Sequence, residues 1–173
     1  MMLSSAMQKL IKETVDEIYV AFDLPTHTPI DLDEFLNILD IQLREDSELI
    51  YKGKIEKEYN GKTIITIKRH HNEEKRRFAI AHELGHYFLH FNDEEKEFKD
   101  SVFYRSLEYN NEEIEANEFA ANLLMPEYEY VSFVQNKAYD KDKRSYDAEL
   151  IAEHFKVSKQ AAIYRGRKLN VFK

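Results

Sequence analysis

The chain has 173 residues, 43% of them hydrophobic and 13% aromatic, with four Gly and three Pro, the make-up of one folded unit rather than of a disordered or linker-rich protein. It contains no Cys, which excludes disulfides and thiolate metal sites and leaves His, Asp and Glu as the strong metal ligands. A formal net charge of −8 argues against direct DNA binding through phosphates. No stretch approaches the roughly 18 uncharged residues of a membrane span, and the amino terminus lacks a secretion-signal pattern, so a cytoplasmic protein is expected.

Taken in order, Leu10, Ile11, Val15, Ile18, Tyr19 and Phe22 recur at steps of three and four, which predicts an amphipathic helix over residues 7–22. "LPTHTP" breaks it, and Asp31 stands as an N-cap before a short helix carrying Leu32, Phe35, Leu36 and Leu39. The period then changes. β-branched and aromatic residues flank Asn60-Gly61, a dipeptide that supplies the positive φ angles of a tight hairpin, so two antiparallel strands are expected, the second over Thr63 to Lys68. That strand runs almost directly into "NEEKRRFAIAHELGHYFLHF", a helix with acids near its start and an apolar face of Phe78, Ile80, Ala81, Leu84 and Phe88. A polar, mostly irregular connection follows over residues 92–110. Beyond it come a helix from Asn111 to just before Pro126, another in "PEYEYVSFVQNK", and a terminal pair capped by Ser145 and Ser158. After Glu153 the charges are all basic, which reads most simply as a solvated helix whose cations complement its own dipole.

The chemistry concentrates in "AHELGH". His82 and His86 are four apart, so on a helix they leave one face offset by about 6 Å along the axis, close enough to share one ion. Zinc takes neutral imidazole nitrogens and, in catalytic sites, keeps one position for water. Glu83, beside the first ligand, is then placed to accept a proton from the attacking water and pass it to the leaving amine. The plain alternative is a buried helix with polar edges, but three ionisable groups within five positions of an apolar helix are costly to bury without a metal.

A third protein ligand must come from elsewhere. His90 lies two turns from His82, about 12 Å along the axis, too far for both to reach one ion, so a structural role is expected for it. The metzincin layout would place Gly at 89 and His at 92, where this chain has Leu89 and Asn92. The helix "EEIEANEFAANLLMP" offers Glu113 and Glu115, which point roughly 200° apart, so that only one of them faces the ion. Glu113 stands four residues before Asn117, which then reaches the same site to hydrogen-bond a ligand. Tyr104, Arg105 and Tyr109, between the two motifs, are candidates for stabilising an oxyanion. Protons compete with metal for the imidazoles, so hydrolysis should decline as pH falls through their protonation range.

"RRFAIAHELGHYFLH" followed by "EIEANEFAANLLMP" resembles the two signature segments of the ImmA/IrrE family of metallopeptidases, in order and spacing, and the likeness spans roughly residues 5–135. The resemblance implies a gluzincin-like zinc fold, and with the elements read above the expected architecture is α+β, mostly helical and zincin-like, with a small antiparallel sheet and a C-terminal helical pair. It implies Zn²⁺ held by His82, His86 and Glu113, the Glu of an E-x-x-A-N pattern, with Glu83 as catalytic base. It also implies a role as an anti-repressor of a phage or mobile element, or a stress-response regulator, whose protein substrate is a helix-turn-helix repressor. The expected organisation is a metallopeptidase domain over residues 1–137 and a helical extension over 138–173, helix-turn-helix-like in outline and packed on the main domain. The competing expectation is a peptidase-like binding module that regulates a repressor without cutting it. An edge position for Thr63–Lys68 would let an extended substrate segment add to the sheet.

Overall fold

A computed structural model describes residues 3–27, 29–50, 53–69, 72–90, 111–140 and 145–172. Helix α1 (Ser5–Ala21) starts where the Ser4 side chain accepts from the Met7 amide, and it buries Ile11, Val15 and Ile18 on one stripe. Leu10, expected on that stripe, is instead 52% exposed, because it lies one step round from the buried line. The Tyr19 hydroxyl donates to the Leu123 carbonyl at 2.7 Å, and burial of that phenol raises its pKa. Helix α2 (Leu32–Ile38) is capped by Asp31, which accepts from the Glu34 amide at 3.0 Å. Its Phe35 ring meets Phe22 edge-on and stacks on Phe88.

Three strands follow: β1 (Ile41–Asp46), β2 (Gly53–Lys57) and β3 (Thr63–Lys68). The expected hairpin is β2–β3, antiparallel, turning at Gly61 with φ +84°. β1 pairs parallel with β3, so the sheet is mixed and its order is β1-β3-β2. This corrects the edge position expected for Thr63–Lys68: β3 is central and bonded on both sides, and among the described residues the edges are β1 and β2. Buried Ile64, Ile65 and Ile67 on β3 reflect that central place.

Helix α3 (Glu73–His90) is capped by Asn72, whose side chain accepts from the Lys75 amide at 2.9 Å. It packs on β2, on β3 and most extensively on α4 (Asn111–Leu124). On its flank Arg76 forks onto Asp33, at 3.0 and 2.7 Å, and reaches Glu45, tying α3 to α2 and β1. Arg77 is buried with one nitrogen donating to the Ile30 carbonyl at 2.9 Å, and burial lowers its pKa. The expected irregular connection over 92–110 lies outside the described residues.

Helix α5 (Glu127–Phe133) continues into a π-helical turn (Val134–Ala138), and a two-residue ribbon, β4 (Tyr139–Asp140) with β5 (Ser145–Tyr146), leads to α6 (Ala148–Phe155) and α7 (Lys159–Lys168). Ser158 caps α7 as expected. The cap of α6 is not Ser145 but Asp147, which accepts from the amides of Glu149 and Leu150, while Ser145 is held in the ribbon opposite Asp140. The terminal pair is fastened to α4 and α5 by buried polar contacts. Arg165 Nε donates to the Met125 carbonyl and its Nη2 to Asn122 Oδ1, both at 3.0 Å, Lys168 pairs with Glu118, and the Tyr130 hydroxyl donates to the Ala162 carbonyl at 2.6 Å. Burial lowers the pKa of Arg165 and pushes that of Tyr130 up to about 12. No helix among the described residues is long and apolar enough to cross a membrane.

Candidate metal centre

The histidines are set by α3. One turn apart, His82 and His86 direct their Nε2 atoms toward each other at 3.2 Å, and each residue is 5% exposed. Helix α4 brings Glu113 to the same point from its first turn. Its Oε2 lies 3.4 Å from His82 Nε2 and its Oε1 lies 3.2 Å from His86 Nε2. One ligand atom from each of the three residues falls within 4.8 Å of the others, a group that could hold a metal ion. The converging atoms are all electron-pair donors.

The close approach of α4 depends on a glycine. A Cβ at Gly85 would stand 2.9 Å from the Ala116 Cα and 3.1 Å from its carbonyl oxygen, so even a methyl group would force the helices apart and withdraw Glu113. Glycine inside a helix costs about 1 kcal/mol against Ala, and that cost within "HELGH" was a readable sign of tight packing, although it did not say against what.

Glu83 is rotated about 100° from His82 and is 1% exposed. It turns toward β2, where a Cβ on Gly53 would come within 2.6 Å of its Oε1. The carboxylate is therefore seated against bare strand backbone. Spacing gave no hint of this, since Gly53 and Glu83 meet only through the packing of α3 on β2.

Around the converging nitrogens each imidazole has a second contact. His82 Nδ1 lies 3.0 Å from Asn117 Oδ1, the residue one turn beyond Glu113. His86 Nδ1 lies 3.0 Å from His90 Nδ1, and His90 Nε2 lies 3.0 Å from Glu115 Oε2. Glu115, the alternative third ligand, is thus turned to His90 and away from the His82–His86 pair. Tyr104, Arg105 and Tyr109 lie outside the described residues.

A mixed α+β domain in which two helices bring two imidazoles and a carboxylate to one point defines a protein equipped to hold a metal. The chain belongs to the peptidase family described as the IrrE N-terminal-like domain, whose sequence model matches residues 37–166. It is 29% identical over 141 residues to "uncharacterized immunity region protein 2" of Bacillus phage phi105, covering 82% of this chain and 78% of that one. Among solved structures it resembles a Mycobacterium tuberculosis transcriptional regulator with a TM-score of 0.56 at 18% identity, a likeness of fold. The match covers 90% of this chain but only 45% of that regulator, so this chain spans less than half its length.

Proposed function

We propose that the chain is a zinc-dependent endopeptidase that cuts one specific protein, a helix-turn-helix repressor. The observation that carries the metal is the spacing of the three donors. Bonds of roughly 2.0 to 2.1 Å to a tetrahedral zinc put neighbouring ligand atoms about 3.3 Å apart; here the two Nε2 atoms are 3.2 Å apart, and Glu113 brings one carboxylate oxygen to 3.4 Å from His82 and the other to 3.2 Å from His86. Two imidazoles and one carboxylate are also a donor set that zinc accepts in catalytic sites. His82, His86 and Glu113 are the ligands in this reading, and Asn117 orients His82.

A zinc ion held there supplies a Lewis acid that polarises a peptide carbonyl and makes water a competent nucleophile near neutral pH. The chain's own part in the reaction is carried by Glu83. Its buried carboxylate, braced by the β2 backbone at Gly53, takes a proton from the attacking water and returns it to the amine as the peptide bond breaks. Among the described residues β2 is an edge strand, and it lies beside Glu83, so an extended substrate segment that pairs with β2 would run past the carboxylate. The phage immunity-region relative supports a repressor as the substrate. Residues 138–173 act as a cap on residues 1–137 in this account, with Arg165 and Lys168 spent on α4 rather than offered to DNA.

The test is to incubate the chain with zinc and a helix-turn-helix repressor from the same genome, and to look for fragments by mass spectrometry. Two fragments are expected, and Glu83→Gln should retain zinc while cutting about 10² to 10⁴ times more slowly. Undiminished cutting by that variant removes Glu83 from the mechanism, and an intact repressor bound by the wild type supports regulation without cleavage.

A further inference from the structure

His90 and Glu115 take no part in holding the metal as described, yet they form a partly buried chain that ends on one of its ligands. Their side chains are 9% and 14% exposed, and they come from different helices, α3 and α4. The hydrogen-bond directions along the chain follow from the role of His86. Its Nε2 faces His82 and Glu113 and gives its lone pair to the metal, so its single ring proton is on Nδ1. That N–H points at His90 Nδ1 at 3.0 Å, which must accept and so carries no proton. Neutral His90 then bears its proton on Nε2 and donates to the Glu115 carboxylate at 3.0 Å.

We propose that His90 and Glu115 are positioning residues for the metal, a carboxylate–imidazole relay that fixes the tautomer and ring plane of His86 and makes it a stronger ligand. The proposal rests on the zinc reading above. A carboxylate hydrogen-bonded to the far side of an imidazole raises the electron density of the near nitrogen, and His90 passes that effect to His86 as a better acceptor. The two ligand arms are therefore unequal. His82 donates to a neutral amide on Asn117, an exposed residue, whereas His86 donates into a partly buried pair backed by a negative charge.

The experiment uses the full chain loaded with zinc. In the wild type, long-range ¹H–¹⁵N correlations should show His90 as the neutral Nε2–H tautomer; an Nδ1–H tautomer, or an imidazolium, overturns the relay. Zinc affinity measured against a competing chelator should fall about 10- to 100-fold in His90→Phe, which fills the space without an acceptor, and about tenfold in Glu115→Gln, which keeps an acceptor but loses the charge. Packing alone predicts no change for Glu115→Gln. Glu113→Ala serves as the reference. If it loses zinc while His90→Phe and Glu115→Gln bind as the wild type does, the relay is wrong and the zinc reading stands. If the wild type itself binds no zinc, both fall.

Discussion

Helix α4 carries a polar cluster toward each end, and the two are built on opposite plans. Toward its carboxyl end, Glu118, Asn122 and the Met125 carbonyl face Arg165 and Lys168 of α7, so acceptors meet cations that belong to the chain. Toward its amino end, Glu113 meets His82 and His86, and the atoms that converge are lone pairs. The first arrangement is complete as a fold contact, since each charge-assisted hydrogen bond stabilises the packing of α7 on α4. The second has the geometry to share a cation among its three donors. A cluster of acceptors met by the chain's own cations reads as architecture, and one whose lone pairs converge on a point reads as a binding site.

That contrast is sharpest when the carboxyl-end cluster is broken. Arg165→Met keeps the side-chain stem but leaves Asn122 Oδ1 and the Met125 carbonyl without their buried donor, and should cost about 3 kcal/mol in chemical denaturation, equally with and without zinc. Glu113→Ala should behave in the opposite way, changing metal-free stability little and abolishing the stabilisation that zinc confers. Stability losses of similar size in the metal-free state of both variants would erase the distinction.

A smaller change should act on both properties at once. Gly85→Ala places a methyl group 2.9 Å from the Ala116 Cα, and overpacking of that kind costs about 1 to 3 kcal/mol. Because the helices must part to admit it, zinc retention should weaken together with the melting temperature. Retention at the wild-type level would mean that α3 and α4 need not be so close for Glu113 to reach.

The sequence made some of this legible and hid the rest for physical reasons. The Asn60-Gly61 hairpin, the Asp31 and Ser158 caps and the helical placement of His82, Glu83 and His86 depend on local chemistry, and local spacing showed them. β1 did not announce itself because Ile41 is its one buried residue and charged side chains fill its far end. It is a strand by virtue of pairing with β3, which lies more than twenty positions away. The cap of α6 was misplaced at Ser145 because two cap-competent residues stand close together, and the ribbon contact with Asp140 decides between them. The partners of His90, and the seat of Glu83 on Gly53, exist only where separate elements pack.

At the periphery, the effects should be slight. Arg76 holds Asp33 below the usual carboxylate range, chiefly through their hydrogen bond. The folded pKa is the lowered one, so the contribution of this pair is intact above about 3.8, the ordinary Asp value, and fades as pH drops through the lowered folded value. The Asp33 side chain is 58% exposed, so Asp33→Asn should cost no more than about 0.5 kcal/mol at neutral pH and nothing in strong acid, as read by denaturation at the two pH values. A loss that persists in acid would show that the contact acts through packing rather than charge.

The central claim is that three side chains from two helices hold one metal ion, and X-ray diffraction from zinc-loaded crystals, recorded on both sides of the zinc absorption edge, tests it most directly. The account predicts an anomalous peak within about 2.0 to 2.2 Å of His82 Nε2, His86 Nε2 and a Glu113 carboxylate oxygen. A map with no peak there, or with the ion on Glu115 instead of Glu113, would contradict it.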